Sequence, residues 1–504
     1  MRNFASWLLE TGAPDARAVW DEGRWWTFAE LGVRTRQVAA ALTTRGARGK
    51  IVLLCGENSA EGIAAYLGAL YAGAVAAPLL QLGDASLAAF VRDTGATIAI
   101  ARAEHQPQLR MAGLDVLVVD EPLTVQASEP AAVDVNELAV VLYTSGSTGT
   151  PRGVMLSSDN LRYSTEAILS FAPLTADDRA LASLPFYYCY GLSVLHTHVR
   201  AGAAVVIASS AMPGDLVALA EATGVTGLLG VPTMFQILVP RGLRDRTLPA
   251  VRYAMLSGGK ATPRLITELR AALPHARVYL RYGITEVTAA ASCLAPELVD
   301  SKPDSIGRGL ADAPLTVERP DGVAVAPGSD EVGEVVVRGR HVGLGYLGAP
   351  EETARCFRDG AFYTGDRARV DADGDVYLVG RDREFIKTGG HRVSPQEVED
   401  VVAAIPEVAE AAVVGVPHQI RGEALVAIVV LQPGATLDLR GLSKYCGARM
   451  APWKVPTELR VVEALPKRDN GKIDRRALGT LSSARVAASA EIIQPGRESE
   501  EVDP

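Results

Sequence analysis

Tyr143-Thr-Ser-Gly-Ser-Thr-Gly-Thr-Pro-Arg-Gly153 decides how the rest of the chain is read. Five Ser/Thr hydroxyls and three glycines fall within these eleven residues. Glycines let successive backbone N–H groups converge on an anion, and hydroxyls add further donors. An apolar run, Ala139–Leu142, comes before the segment, and a helical pattern begins at Asn160. Strand, Gly-rich loop and helix in that order predict a polyphosphate-binding turn. No Gly-Lys-Ser/Thr closes it, so it is not a Walker loop. On composition alone a flexible Ser/Gly turn reads as well; the flanking elements favour the binding turn.

Outward from this loop the pattern is α/β. The apolar runs Ile51–Leu54, Val116–Val119, Val205–Ile207 and Gly227–Leu229 read as buried strands. Ala-rich amphipathic segments separate them, as parallel α/β layers require. Ile63–Leu80 holds 18 residues without a charge, close to membrane-spanning length. Its Ala and Gly content and Pro78 fit a buried helix running into a buried strand, so no membrane span is expected. From about residue 314 the strands shorten and Gly, Pro and Asp turns multiply (Leu315–Glu318, Glu334–Arg338, Asp375–Val379). After Gly380 come a helix (Pro395–Ala404), strands (Ala411–Val416, Ala427–Leu431) and a second helix (Leu442–Arg449). The expected architecture is α/β: a large N-terminal domain over 1–380 built of layered α/β subdomains, with a β-rich subdomain at about 314–380. A small α+β domain over 381–486 follows. Residues 487–504 are polar and acidic and read as a disordered tail.

Composition narrows the function. The 504 residues are 48% hydrophobic and 22% charged, ordinary for a globular protein. The net charge of −9 argues against a nucleic-acid binder and against adhesion to an anionic membrane. Cysteines 55, 189, 293, 356 and 446 form no CxxC pair, which predicts reduced thiols in a cytoplasmic protein. The N-terminus lacks an apolar core of signal-peptide length. Only 8 of the 50 basic residues are Lys, and five of those lie beyond residue 380. In so Arg-rich a chain, a Lys inside a motif points to a need for its compact ammonium.

The loop resembles the phosphate-binding loop of the adenylate-forming superfamily, which includes acyl-CoA synthetases, adenylation domains and luciferases. Further segments match that family in order as far as residue 474. The resemblance implies that Thr144, Ser145, Gly146, Ser147, Thr148 and Gly149 cradle the phosphates of ATP. Tyr282-Gly-Ile-Thr-Glu286 resembles the second signature: Tyr282 and Gly283 at adenine, Thr285 at the α-phosphate, Glu286 on Mg²⁺. Magnesium wants hard oxygen ligands shared with phosphates, which agrees. Tyr363-Thr-Gly-Asp366 is similar to the ribose signature, with Asp366 the ribose ligand. Gly380–Arg392 resembles the hinge and first loop of the family's mobile C-terminal domain. There Arg381 matches the arginine near the ribose, and Lys387 and Gly390 match the pair that serves the thiol step. The hinge position falls on Arg383, where the family usually has Asp or Lys. Pro466–Asp474 resembles the last signature, and its Lys472 matches the lysine bridging carboxylate and α-phosphate. Two anions meet in that step, so a mobile ammonium suits it. Arg152 stands where many relatives have Lys and keeps the charge.

By the same resemblance the acid pocket is lined by Tyr187, Tyr188, Cys189 and Gly191, by Val231 and Met234, and by Gly258, Gly259 and Lys260, with Gly259 also reaching the nucleotide. No carboxylate occurs from Ala180 to Gly214. A buried substrate ammonium would lack a partner there, which disfavours an amino acid. Lys260 either meets a second carboxylate or polar group of the substrate, or points to solvent. Two signals are set aside. Gly343-Leu-Gly-Tyr-Leu-Gly348 fits GxGxxG but has no βαβ unit around it. His196 and His198 form an HxH without a third ligand nearby, and read as core histidines. Together these features imply an ATP- and Mg²⁺-dependent acid–thiol ligase that makes acyl-AMP from a fatty or aryl acid and passes it to coenzyme A. A carrier-protein phosphopantetheine is the alternative acceptor, for an acyl or amino acid. The alternative of another class is a non-catalytic nucleotide-binding partner or sensor.

Overall fold

The computed structural model describes residues 3–79, 84–123, 129–144, 152–243, 246–381, 386–388, 391–418, 422–468, 473–475, 477 and 478. The chain divides into two compact units, 1–379 and 380–504.

Two large sheets frame the first unit. The seven-stranded sheet runs Gly345–Tyr346, Arg152–Ser157, Leu138–Thr144, Val75–Leu79, Ile51–Cys55, Ile98–Ala101, Asp115–Val118. Its last five strands are parallel and its first two antiparallel. The eight-stranded sheet runs Ser292–Leu294, Arg277–Tyr282, Tyr253–Leu256, Gly227–Gly230, Arg179–Ala182, Ala204–Ile207, Arg17–Asp21, Arg24–Thr27. Only its two edge strands are antiparallel. One apolar cluster joins Val52, Ala76 and Ile98 of the first sheet to Ala182, Val205 and Ile207 of the second. Leu31, Ile63, Leu67, Leu161 and Leu195 belong to it, so helices Phe28–Thr44, Ala60–Tyr71, Ser158–Phe171 and Cys189–Arg200 are seated between the sheets. Leu87 and Leu109 pack on the other face of the first sheet, and Leu216, Phe235 and Leu265 on that of the second, so both faces of the parallel strands are covered, which explains their unbroken apolar runs. Ile63–Leu80 is the helix Ala60–Tyr71 followed by the buried strand Val75–Leu79. No helix among the described residues is long and apolar enough to cross a membrane.

A smaller sheet is built from Thr316–Glu318, Gly333–Arg338, Ala361–Val370 and Phe357–Arg358, with Val376–Arg381 beside the long strand. Its turn at Asp371–Asp375 is closed by Lys302, whose Nζ lies 2.8, 2.7 and 2.6 Å from Asp371, Asp373 and Asp375. The second unit is a five-stranded sheet around the hairpin Val408–His418/Gly422–Leu431, with helices Pro395–Ala403 and Leu439–Gly447. Val398, Val402, Leu425, Ala427 and Leu442 form its core. The tail 487–504 lies outside the described residues.

One sequence expectation is corrected. The Gly-rich loop does not pass from strand to helix. It joins the antiparallel strands Leu138–Thr144 and Arg152–Ser157, and the helix starts only at Ser158. The run Gly153–Ser157 is too short and mixed to declare itself a strand; pairing with its neighbours makes it one.

Candidate active site

Alternation along Arg277–Tyr282 sorts its side chains. Tyr282 joins the cluster between the sheets, while Tyr279 packs on the other face with Tyr190, Tyr253 and Met255. Tyr282 is buried, and its hydroxyl donates to Asp366 Oδ2 at 2.6 Å. Asp366, only 3% exposed, is set by a kink in its strand: Gly365 takes φ 71°, and Asp366 N–H donates to Thr364 Oγ1 at 3.0 Å. The second and third sequence signatures thus meet in space.

Beyond Tyr282 the chain turns back sharply. A Cβ at Gly283 would sit 1.6 Å from the Ala289 carbonyl oxygen, so only glycine fits. Thr285–Val287 forms a tight 3₁₀ turn, after which Thr288 and Ala289 adopt φ 55° and 81°. Residues with a Cβ pay of order 1–3 kcal/mol for such backbone. Side-chain bonds hold the turn: Thr288 Oγ1 donates to the His341 carbonyl at 2.8 Å, and Ser164 Oγ donates to the Thr288 carbonyl. Thr285 Oγ1 reaches Cys189 Sγ at 3.4 Å. Glu286 accepts the Tyr346 hydroxyl at 2.8 Å, and its backbone carbonyl accepts Gly343 N–H at 2.8 Å. Burial, and then the Glu286 charge, push the Tyr346 hydroxyl above its ordinary value, so it remains a donor to a carboxylate. One carboxylate and one hydroxyl on a fixed turn are the hard oxygens a magnesium–nucleotide complex takes, and the residues present fit it.

The GxGxxG segment has a structural place. Gly345–Tyr346 pairs antiparallel with Arg152–Ser157 at the sheet edge, which delivers Tyr346 to Glu286. Arg152 lies over the Tyr346 ring, 5.6 Å from its centroid, and is ion-paired to Glu352.

Of the segments expected to line the acid pocket, the first opens helix Cys189–Arg200. Tyr188 is its N-cap, and the Tyr187 and Tyr188 rings lie 4.3 Å apart. A Cβ at Gly191 would lie 2.2 Å from the Pro185 carbonyl oxygen, so glycine allows that close approach. Val231 caps helix Pro232–Gly242, and Met234 Sδ accepts from Ser183 Oγ at 3.1 Å. Gly258, with φ 83°, and Gly259 follow strand Tyr253–Leu256. Lys260 forms a 3.0 Å ion pair with the half-exposed Asp304. His196 bonds Tyr66 at 2.8 Å; His198 bonds Tyr253 at 2.7 Å and the Val194 carbonyl at 2.8 Å. Burial pushes these histidines down to about 3 and about 4. Both are core residues.

In the second unit, Arg381 is the exposed last residue of strand Val376–Arg381, and Lys387 lies in Ile386–Thr388, paired with Arg392. The feet of the last signature are tied: Lys467 bridges Ile473, and Asp474 N–H donates to the Pro466 carbonyl at 2.8 Å. Arg475 grips the buried Glu399 at 2.7 and 2.8 Å. Thr144 pairs with Arg152 across its hairpin. Ser145, Gly146, Ser147, Thr148, Gly149, Arg383, Gly390 and Lys472 lie outside the described residues.

Sequence reading missed Tyr346, Glu352 and Arg281. Arg281 carried a signal: a charge inside the apolar strand pattern Val278-Tyr-Leu-Arg-Tyr282. Comparisons with known proteins place the chain in a family. The model for AMP-binding enzymes matches residues 9–347, and that for the AMP-binding enzyme C-terminal domain matches 397–472. Feruloyl-CoA synthase of Amycolatopsis sp is 34% identical, covering 94% of this chain and 98% of its own. The ATP-bound MatB of Rhodopseudomonas palustris superposes with a TM-score of 0.87 at 30% identity, over 95% of this chain and 98% of that one. O-succinylbenzoate coenzyme A synthetase of Bacillus subtilis, in complex with ATP and magnesium ion, gives 0.83 at 28% identity, over 95% and 99%. With its signatures joined at Tyr282 and Asp366 and both family models matched in order, the chain belongs to the AMP-binding enzymes of the adenylate-forming superfamily.

Proposed function

We propose that this enzyme is an ATP-dependent acid–coenzyme A ligase working through acyl-AMP on an acyl or aryl acid. The observation that carries the reading is the Tyr282–Asp366 pair beside the Thr285–Glu286 turn. It offers an aromatic face for adenine, a carboxylate for the ribose hydroxyls, and oxygens for the metal–phosphate end. The substrate carboxylate attacks the α-phosphorus; the bond to the bridging oxygen breaks and pyrophosphate leaves. Magnesium, when bound through Glu286, neutralises phosphate charge. Lys472 offsets the repulsion between carboxylate and phosphate, and Thr285 orients the α-phosphate. In the second step the thiolate of coenzyme A attacks the acyl carbon and AMP leaves. Lys387 and Gly390 serve that step, with Arg383 as the hinge. The absence of a carboxylate from Ala180 to Gly214 supports an acid without an ammonium. Both co-substrates, ATP and coenzyme A, support a cytoplasmic setting.

Carboxylate-dependent ATP–pyrophosphate exchange tests the reading against fatty acids, aryl acids, dicarboxylates and amino acids. Exchange with fatty, aryl or dicarboxylic acids, followed by thioester formation with coenzyme A, is expected. Exchange with amino acids alone would overturn it.

A further inference from the structure

Arg281 is the anomaly of the site. It is 6% exposed, next to Tyr282, in a strand whose other residues from Val278 onward are apolar or aromatic. Its Nη1 donates to Met255 Sδ at 3.1 Å, while Nε and Nη2 are buried and have no hydrogen-bond partner among the described residues. Tyr190 lies 5.2 Å from the guanidinium carbon and Phe171 5.9 Å. Cys293 is its partner across the strand pair. No carboxylate among the described residues reaches ion-pair distance. Aromatic faces compensate a buried cation only in part, and an unmatched one is costly. Fixed, charged N–H donors held among Tyr190, Phe171 and Met255 suit a planar anion.

The location says which anion. Tyr190 stands between Cys189 and Gly191, at the helix start where Cys189 meets Thr285. Met255 is in the strand that runs into Ser257 and Gly258. Lys260, the other cation considered for this pocket, is held by Asp304 at the surface. Resting on the reading of the site as a carboxylate-activating centre, we infer that Arg281 binds a second carboxylate, and that the substrate is a dicarboxylic acid. One carboxylate is adenylated, and the other is paired with the buried guanidinium.

The test is ATP–pyrophosphate exchange with monocarboxylic and α,ω-dicarboxylic acids matched in length, from short to long, on the full-length enzyme and on Arg281→Met and Arg281→Lys. The wild type is expected to prefer the diacid of one matched pair by roughly 100-fold or more in kcat/KM, since a buried donor left unpaired rejects the analogue. Arg281→Met should collapse that ratio through loss on the diacid while the KM for ATP stays put. Arg281→Lys should recover part of it. If Arg281→Met does not fold, the wild-type ratio and the stabilisation of the wild type by the diacid alone decide. A preference for monoacids, or a ratio unmoved in Arg281→Met, would overturn the inference and leave the ligase reading standing. Exchange with no acid of any class would instead remove the ligase reading.

Discussion

Tyr282 and Asp366 stand 84 positions apart in sequence and 2.6 Å apart in space. Each was legible as a signature residue; their hydrogen bond was not, because it depends on how two sheets are packed. The contact makes their roles separable. Asp366→Ala removes the carboxylate assigned to the ribose, and the KM for ATP should rise about 10- to 100-fold, the worth of hydrogen bonds to a charged group. An unchanged KM would mean that Asp366 only anchors Tyr282. Glu286→Gln should lower kcat roughly 100-fold by removing the carboxylate proposed to hold the metal. Tyr346→Phe leaves that carboxylate in place but removes the Tyr346 hydroxyl from it, so the Mg²⁺ requirement should rise several-fold with little change in the KM for ATP. An unaltered Mg²⁺ titration would show that Tyr346 does not position Glu286. Tyr346 escaped the sequence reading because its segment imitates a dinucleotide turn, and only the pairing of Gly345–Tyr346 with Arg152–Ser157 reveals its place.

At the scale of elements, parallel strands buried on both faces were easy to see as continuous apolar runs. The strand Arg152–Ser157 was not, since its pairing partners lie across the Gly-rich loop and near residue 345. The turn after Tyr282 was legible as a signature and illegible as backbone, because nothing local announces left-handed Thr288 and Ala289. Its geometry gives a sharp expectation. Gly283→Ala must displace the Ala289 carbonyl and should cost about 3 kcal/mol or more, with adenylation lost. A variant with wild-type melting temperature and turnover would contradict the turn described here. Arg281 belongs to the same lesson: a charge in a strand pattern is a signal whose meaning appears only when its neighbours are known.

Across the whole molecule, buried histidines make stability depend on pH. Burial holds His196 near 3 and His198 and His341 near 4, below the unfolded value of about 6.5. Between those values the unfolded chain binds more protons than the folded one, so acidification favours unfolding. Stability should be full above about pH 6.5 and fall as the pH is lowered towards about 5, before most carboxylates titrate. His341→Phe, which keeps the stack on Tyr163, should make the melting curve shallower in that window. A melting temperature flat with pH would contradict the assignment. The second unit was readable as α+β from its alternating pattern, while the roles of its lysines rest on resemblance. Lys472→Ala should cut adenylation by orders of magnitude, whereas Lys387→Ala should spare it and slow thioester formation. Equal loss of both steps in Lys387→Ala would sink that division.

A staged single turnover tests the acyl-AMP route most directly. Enzyme, ATP, Mg²⁺ and a diacid drawn from the exchange panel are mixed without thiol and analysed by mass; coenzyme A is then added. Enzyme-bound acyl-AMP with one equivalent of pyrophosphate is expected, then conversion to acyl-CoA and AMP. Release of ADP and phosphate, or thioester formed with no acyl-AMP before it, would contradict that route.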